Sequence, residues 1–452
     1  MRYFKILPLV LLILGTGACE GDPLEIRPVD EIDEDIAIID GQSAQAALNG
    51  AYAALEDGNY YGTDYVIYGD LMADNAQHEG TFDTYSQADR HALVSENVTL
   101  DGVWAAIYSG IYRVNILIQE VPTLEGLDPA LADGILAQAY ALRALHYHNL
   151  VRAWGDVPLV LEPMEDLAEA AEITRAPVAQ VYTQILDDLQ TAEQLFQTAG
   201  ADNSARIFTT PGFVDGMQAR VNLYMENWAA AANEALEVVN SGDYALAPSF
   251  NLLFPPDEGS TAEDIFTVVF TEDNFNNYGY YYQFAGRFEV GATPGIFEAF
   301  PTGDDRFLWS FGAVDGTQIE VTKFPTTIGA ENFPALRYGE VLLTLSEALA
   351  RQGGGGNLAL AVQYLNMVRT RAGVPGYSLG EDLNNDQGQV IDAVLHERRL
   401  ELAFEGDRWF DLVRTGRAVE TLPTLNDSRF TLWPIPRGEL DVAPNLTQNP
   451  GY

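Results

Sequence analysis

The stretch Ala139-Tyr140-Ala141-Leu142-Arg143-Ala144-Leu145-His146-Tyr147-His148-Asn149-Leu150-Val151-Arg152-Ala153-Trp154-Gly155-Asp156-Val157-Pro158-Leu159-Val160 decides how this chain folds. It continues a run of small and aliphatic residues that begins at Pro129, and the spacing predicts one long helix over 129–153. Gly155 and Pro158 close that helix, because a glycine just past the last turn and a proline shortly after it cannot propagate helical hydrogen bonding.

On either side, apolar or small residues recur at helical spacing over 43–55, 101–119, 178–197, 212–226, 228–240, 336–350, 358–370 and 390–404. Within 101–119, Trp104, Ile107, Tyr108, Ile111 and Asn115 fall along one side. The segments come in pairs joined by short turns. Laying Asn227 on Asn357 aligns Ala231 with Ala361 and Val238 with Val368. Small residues at such positions let helices approach closely, as in tetratricopeptide units, which bury their faces only by stacking. The expected fold is mainly α: a tetratricopeptide-like helical-repeat superhelix with an irregular, loop-rich ligand-facing region and a few short strands, one near 265–270. The irregular region comprises two excursions, 58–98 and 245–334, rich in Gly, Asn, Asp and aromatics. Loops carried on a rigid frame are where binding residues concentrate.

The 452 residues are 47% hydrophobic, enough for a large core, and 66 acidic against 24 basic residues give a net charge of -42. Such a field repels phosphates and anionic headgroups, so nucleic acid is excluded as a partner. Lys5 and Lys323 are the only lysines; the excess of acid suggests adaptation to high salt, where self-repulsion is screened. Arg2 and Lys5, the apolar run 6–14 and the small residues 15–18 read as an export signal over 1–18. The apolar run is far short of the ~20 residues a spanning helix needs. Cys19, the sole cysteine, follows directly and resembles the lipidated residue of a bacterial lipobox, with Thr16 where leucine is usual. Residues 19–40 read as an acidic tether, and 41–452 as a single domain.

Chemical motifs are few. The five histidines include no pair spaced for zinc with a glutamate between, so no metal site is expected. Gly376-Tyr377-Ser378-Leu379-Gly380 matches a nucleophile elbow in letters but follows Pro375 and runs into acidic, Asn-rich sequence, so it reads as a loop. Asp382, Asn384 and Asp386 imitate the opening of a calcium loop, yet Gln387 stands where glycine is required and Ala393 where a bidentate glutamate belongs. That excludes an EF-hand and leaves a looser calcium contact open; no other cofactor is expected. Glu397, Glu401 and Glu405 lie four apart on one helix side with Arg398, Arg399 and Arg408 close by, the pattern of an ion-pair network. Carboxylates on one face cannot flank a glycosidic bond from opposite sides.

The most informative loop is 273–288, which mixes seven aromatics with Asn274, Asn276 and Asn277. If extended, it would place Tyr278, Tyr280 and Tyr282 on one face, where flat rings could meet the C–H surface of a sugar; a tyrosine-rich strand packing on its neighbours is the alternative. Asp74, Asn75, Tyr85 and Arg90 in the first excursion, and Trp309 after Asp304-Asp305-Arg306, complete the candidate binding set.

Ala139 to Val160 resembles the signature helix of the SusD/RagB family. His396-Glu397-Arg398-Arg399-Leu400-Glu401-Leu402-Ala403-Phe404-Glu405-Gly406-Asp407-Arg408-Trp409-Phe410-Asp411-Leu412-Val413-Arg414 is similar to that family's C-terminal signature. The ending resembles it too, with Leu432-Trp433-Pro434-Ile435-Pro436 and Asn445 to Tyr452. The resemblance spans essentially the whole chain and implies four tetratricopeptide-like helix pairs. It also implies a non-enzymatic, lipid-anchored outer-membrane protein facing the cell exterior. Such a protein delivers glycans, or in some members peptides, to a SusC-like TonB-dependent transporter. The acidic residues behind Cys19 resemble the surface-export signal of Bacteroidota lipoproteins. Contact residues in the family follow no fixed motif, so the candidates above rest on side-chain chemistry. A secreted glycoside hydrolase and a protein-binding helical scaffold are the alternative functions.

Overall fold

A computed structural model gives the fold and describes residues 38–164, 171–255 and 259–452. The expected export signal, Cys19 and most of the tether lie outside the described residues. Every predicted helix is present with its ends within three residues of expectation: Gly41–Ala53, Val98–Glu120, Pro129–Trp154, Val178–Ala199, Pro211–Tyr224, Trp228–Ser241, Tyr338–Gln352, Gly355–Arg371 and Gln387–Glu401.

Local chemistry sets these ends. The Asp40 carboxylate accepts from the Ser43 amide at 2.8 Å while Ser43 Oγ accepts from the Asp40 amide at 2.9 Å, a reciprocal cap on the first helix. Asn97 accepts from the Thr99 and Leu100 amides, and Asp128 from the Leu131 amide. Gly155 ends the long helix at φ 74°, a conformation that favours glycine.

Val98–Glu120 packs on Gly41–Ala53 and Pro129–Trp154 on Val178–Ala199, while Pro211–Tyr224 packs on Trp228–Ser241 and Tyr338–Gln352 on Gly355–Arg371. These four pairs form a tetratricopeptide-like stack, in which Trp228–Ser241 also contacts Tyr338–Gln352. Ala231, Val238, Ala361 and Val368 are all buried, as the internal alignment expects.

Residues 333–337 depart from the reading. They form strand Phe333–Arg337, paired antiparallel with Asp264–Val268, so the next helix begins only at Tyr338. All ten strand residues are buried, and an apolar run this short is ambiguous between strand and helix.

The signature helix ties residues 60–65 to residues 407–434. Asn149 Nδ2 donates to the Tyr60 and Tyr61 hydroxyls at 2.7 and 2.9 Å, and Arg152 donates to Tyr65 Oη at 2.7 Å and pairs with Asp407 at 2.9 Å. Trp154 Nε1 donates to the Pro434 carbonyl at 3.0 Å, and its ring meets Trp104 and Trp433 edge-on. His146 is fully buried, and desolvation pushes its imidazole down to about 3, so it is a neutral core residue.

Candidate functional site

Neither excursion is wholly irregular. The first contains helices Asp64–Leu71 and Asp83–Asp89, and the second contains Tyr278–Tyr282, Pro294–Phe297 and Asp305–Ser310. Strand Ala76–His78 of the first pairs antiparallel with Val290–Ala292 of the second, Ala76 opposite Ala292, which makes one surface of the two. The buried Glu289 carboxylate fastens the join by accepting from the Thr81 and Phe82 amides at 2.7 and 3.0 Å. Thr293 Oγ1 adds a bond to the Asp74 carbonyl at 2.7 Å, and the Asn277 amide donates to the Gly62 carbonyl at 3.1 Å.

Aromatic rings gather on this joined surface. Tyr281 meets Phe82 edge-on at 5.6 Å and lies 5.7 Å from Tyr280, while Phe284 and Phe288 are 4.3 Å apart. The Arg287 guanidinium lies 4.2 Å from the Phe82 ring centroid and pairs with Glu289. Tyr280 is 42% and Phe284 36% exposed. Backbone geometry holds the turn: the Arg287 amide donates to the Tyr280 carbonyl at 2.7 Å, and Gly286 packs so closely on Tyr280 that a side chain would not fit. The Phe284 amide donates to Glu320 at 2.8 Å, which anchors the loop on the hairpin Phe311–Asp315 and Gln318–Val321.

The expectation of an extended Tyr278 to Tyr282 segment is corrected. The segment is a helical turn, so Tyr278 and Tyr282, four apart, share the inner face and are fully buried, while Tyr280 points outward. Tyr278 stacks on Phe324 at 4.4 Å and donates to the Tyr61 carbonyl. Asn75 is fully buried, donating to Asp70 at 2.8 Å and accepting from Arg399 at 3.0 Å. Asp74 pairs with Arg408 at 2.7 Å and Arg399 at 3.1 Å. Burial alone would raise the Asp74 carboxyl, but Arg408 and Arg399 hold it below the usual carboxylate range. Tyr85 is buried and donates to Asp64 at 2.5 Å; desolvation pushes Asp64 up to about 6. Asn75, Tyr85, Tyr278 and Tyr282 therefore offer a ligand no open side-chain face, and Asp74 is spent on two arginines. Arg90 and Trp309 are exposed, Trp309 on helix Asp305–Ser310 instead of the expected loop.

Phe82, Tyr281 and Arg287 belong to the surface although the sequence did not single them out as binding residues. Phe82 is remote in sequence from Tyr281 and Arg287, and the strand pairing brings the three together.

The Glu397, Glu401, Glu405 row lies at the centre of a buried ion cage, but with other partners than its neighbours in sequence. Arg306 reaches Glu397 at 2.7 Å and Glu401 at 3.0 Å, and Arg337 reaches Glu263, Glu401 and Glu405, each at 2.7 Å. Arg369 pairs with Glu397, Arg371 with Glu263 and Glu401, and Lys323 with Glu405. The expected Arg398 instead pairs with Asp411, and Arg399 and Arg408 with Asp74. Against the desolvation that would raise it, Arg371, Arg337 and Arg306 hold the Glu401 carboxyl far below the ordinary range. Saturated with cations and sealed from solvent, these carboxylates are placed to brace helices and not to protonate a leaving group.

Ser378 lies in a loop between helices, where its Oγ accepts from the Glu381 amide. Asp386 caps helix Gln387–Glu401, accepting from the Gln389 amide at 2.9 Å. Among the described residues no group of three or more His, Cys, Asp or Glu side chains is arranged to hold a metal ion, and no helix is long and apolar enough to cross a membrane.

Comparison with known proteins agrees with this geometry. Residues 321–452 match a family model described as the SusD family, and residues 27–207 match one described as starch-binding and associating with the outer membrane. SusD-like protein P38 of Formosa agariphila is 28% identical, with all of both chains covered. A SusD-superfamily protein of Parabacteroides distasonis has the same fold, with a TM-score of 0.81 at 24% identity over 91% of this chain and 99% of the other. So has a protein described as a laminarin-binding SusD-like protein, with a TM-score of 0.78 at 24% identity over 92% of this chain and all of the other. These matches, spread over most of the chain, support its place in the SusD/RagB family.

Proposed function

We propose that residues 41–452 form one domain that captures a glycan on the outside of the cell, without cleaving it, and passes it to a SusC-like TonB-dependent transporter in the outer membrane. Lipidation of Cys19 would hold the protein to the outer leaflet, with residues 19–40 as the tether. The observation that carries the reading is the aromatic group of exposed Tyr280 and Phe284 with half-buried Phe82, Tyr281 and Phe288, assembled from both excursions on a helical frame. Rings held by packing present apolar faces to the C–H surface of a sugar, and Arg287, Gln77 and Glu79 beside them can hydrogen-bond hydroxyls. The family matches and the laminarin-binding neighbour support the same reading.

The test is titration of purified full-length protein in detergent with laminarin and other neutral glycans, followed by tyrosine and tryptophan fluorescence. Binding with intact glycan recovered and a weak dependence on salt is expected. Each of Tyr280→Ala and Phe284→Ala should weaken it by about 1 kcal/mol, the scale of one aromatic contact. Unchanged affinity in both variants removes the aromatic group from the site, and turnover of the glycan refutes the non-enzymatic reading. Co-purification from native membranes should recover a barrel partner, and Cys19→Ala should release the protein from the membrane.

A further inference from the structure

A recess opens where the end of the first helix meets helix Val98–Glu120 and the loop at Asn274. It has a volume of about 330 Å³ and is lined by Glu56, Asp57, Ser109, Arg113, Asn274 and Phe275, with small residues behind them. Its chemistry differs from the aromatic surface: one exposed ring at the rim, and four kinds of polar side chain inside. Phe275 is 51% exposed. Arg113 donates to the Gly50 carbonyl at 2.6 Å, and its guanidinium carries further donors that can reach a ligand. Asn274 donates to Glu56, which fixes that carboxylate against the recess wall. Glu56 is half-buried, and desolvation raises its carboxyl above the ordinary value, so it is a poorly hydrated acceptor for a hydroxyl donor brought to it.

We propose that this recess is a second recognition subsite, which takes one uncharged pyranose unit of the glycan held by the aromatic surface. Acceptors on Glu56 and Asp57 and donors on Arg113 and Asn274 can engage vicinal hydroxyls, with Phe275 as a partial stacking wall. Two carboxylates against one guanidinium leave the recess net negative, which disfavours uronic or sulfated units. Phe275 and Tyr280 are five residues apart, so at most about 18 Å of chain separates them, within reach of an extended oligosaccharide. The proposal rests on the aromatic surface being the glycan-binding face.

Titration calorimetry of the full-length protein with neutral hexaoses of the laminari, malto, cello, xylo and manno series, and with an oligoglucuronate, tests it. Ser109 is exposed on its helix, so Ser109→Trp should fill the recess without disturbing the core. It should weaken the best neutral hexaose about tenfold, and Arg113→Gln several-fold, with melting temperatures unchanged. Wild-type affinity in both variants, alongside loss in Tyr280→Ala, overturns the subsite and leaves the aromatic surface standing. A wild-type preference for the oligoglucuronate overturns the charge assignment. Binding of no hexaose by the wild type overturns both readings together.

Discussion

Arg337→Met is the sharpest probe of what holds this fold together. The substitution keeps most of the unbranched stem but removes a guanidinium that donates to Glu405 Oε2 at 2.8 Å, to Glu263, Glu401 and Glu405 Oε1, each at 2.7 Å, and to the Glu401 carbonyl at 2.8 Å. Breaking a buried pair by deleting one partner costs about 3–5 kcal/mol, because the remaining charge stays buried and uncompensated. Here each carboxylate keeps a cation: Arg306 and Arg371 for Glu401, Lys323 for Glu405 and Arg371 for Glu263. The loss should therefore fall near the lower end, about 3 kcal/mol. With a urea m-value of at least about 3 kcal/mol/M for a chain of this length, the unfolding midpoint should drop by up to about 1 M.

The loss should also depend on pH with a definite sign. In the wild type Glu401 has a depressed folded value, so its contribution is present above the unfolded carboxylate value of about 4.3 and disappears only as pH falls through the lower folded value. In the variant Glu401 loses one of the cations that hold it low and takes up a proton more readily. The gap between the two proteins should be widest near neutrality and shrink as pH falls below about 4. A gap under about 1 kcal/mol at pH 7, or one that stays constant with pH, would refute the account of the cage.

Three further outcomes follow from other parts of the molecule. Tyr282→Ala should cost roughly 3–5 kcal/mol of stability, on the scale of large buried aromatics, whereas Tyr280→Ala should leave the urea midpoint almost unmoved; equal midpoints would contradict their opposite burial. Burial and the nearby Glu234, Glu193 and Glu237 push Asp215 up to about 7. A raised acid favours the folded state below its folded value and loses that advantage as pH climbs from about 4 to 7. Asp215→Asn should thus stabilise by on the order of 1 kcal/mol at pH 8 and by nothing at pH 4, measured by thermal melting. With a net charge of -42, melting temperature should rise with sodium chloride toward molar levels; a flat or falling curve would count against salt adaptation.

The helices were legible because their signals are local. A 3.6-residue apolar rhythm and Gly155 as a stop act within a few residues of one another, whereas the caps Asp40 and Asn97 went unread and those two helices begin two to three residues earlier than expected. Tyr278 to Tyr282 was not, since alternating tyrosines look the same in a strand and in a single helical turn, and Thr63, Phe324 and Gly62, which hold the turn, are remote in sequence. The same limit hid the cage. The glutamate row was visible, but its arginines come from 306, 337, 369 and 371, whereas the nearby Arg398 and Arg399 turn away to Asp411 and Asp74. Phe82 shows the difficulty for the binding surface: a lone aromatic acquires a role only once Ala76 lies opposite Ala292.

Asp70 accepts from the Phe404 and Gly406 amides at 3.0 and 2.7 Å, Asp74 meets Arg408, and the backbone of Gly69 lies against that of Gly406 without space for a side chain. A chain made from its N-terminus exposes Asp70 and Asp74 more than 300 residues before Phe404, Gly406 and Arg408 are added. Pairings so distant along the chain delay folding, because the intervening loop has to close before they stabilise anything. The join between residues 69–74 and 404–408 is therefore a late event, open until nearly nine tenths of the polypeptide has been made.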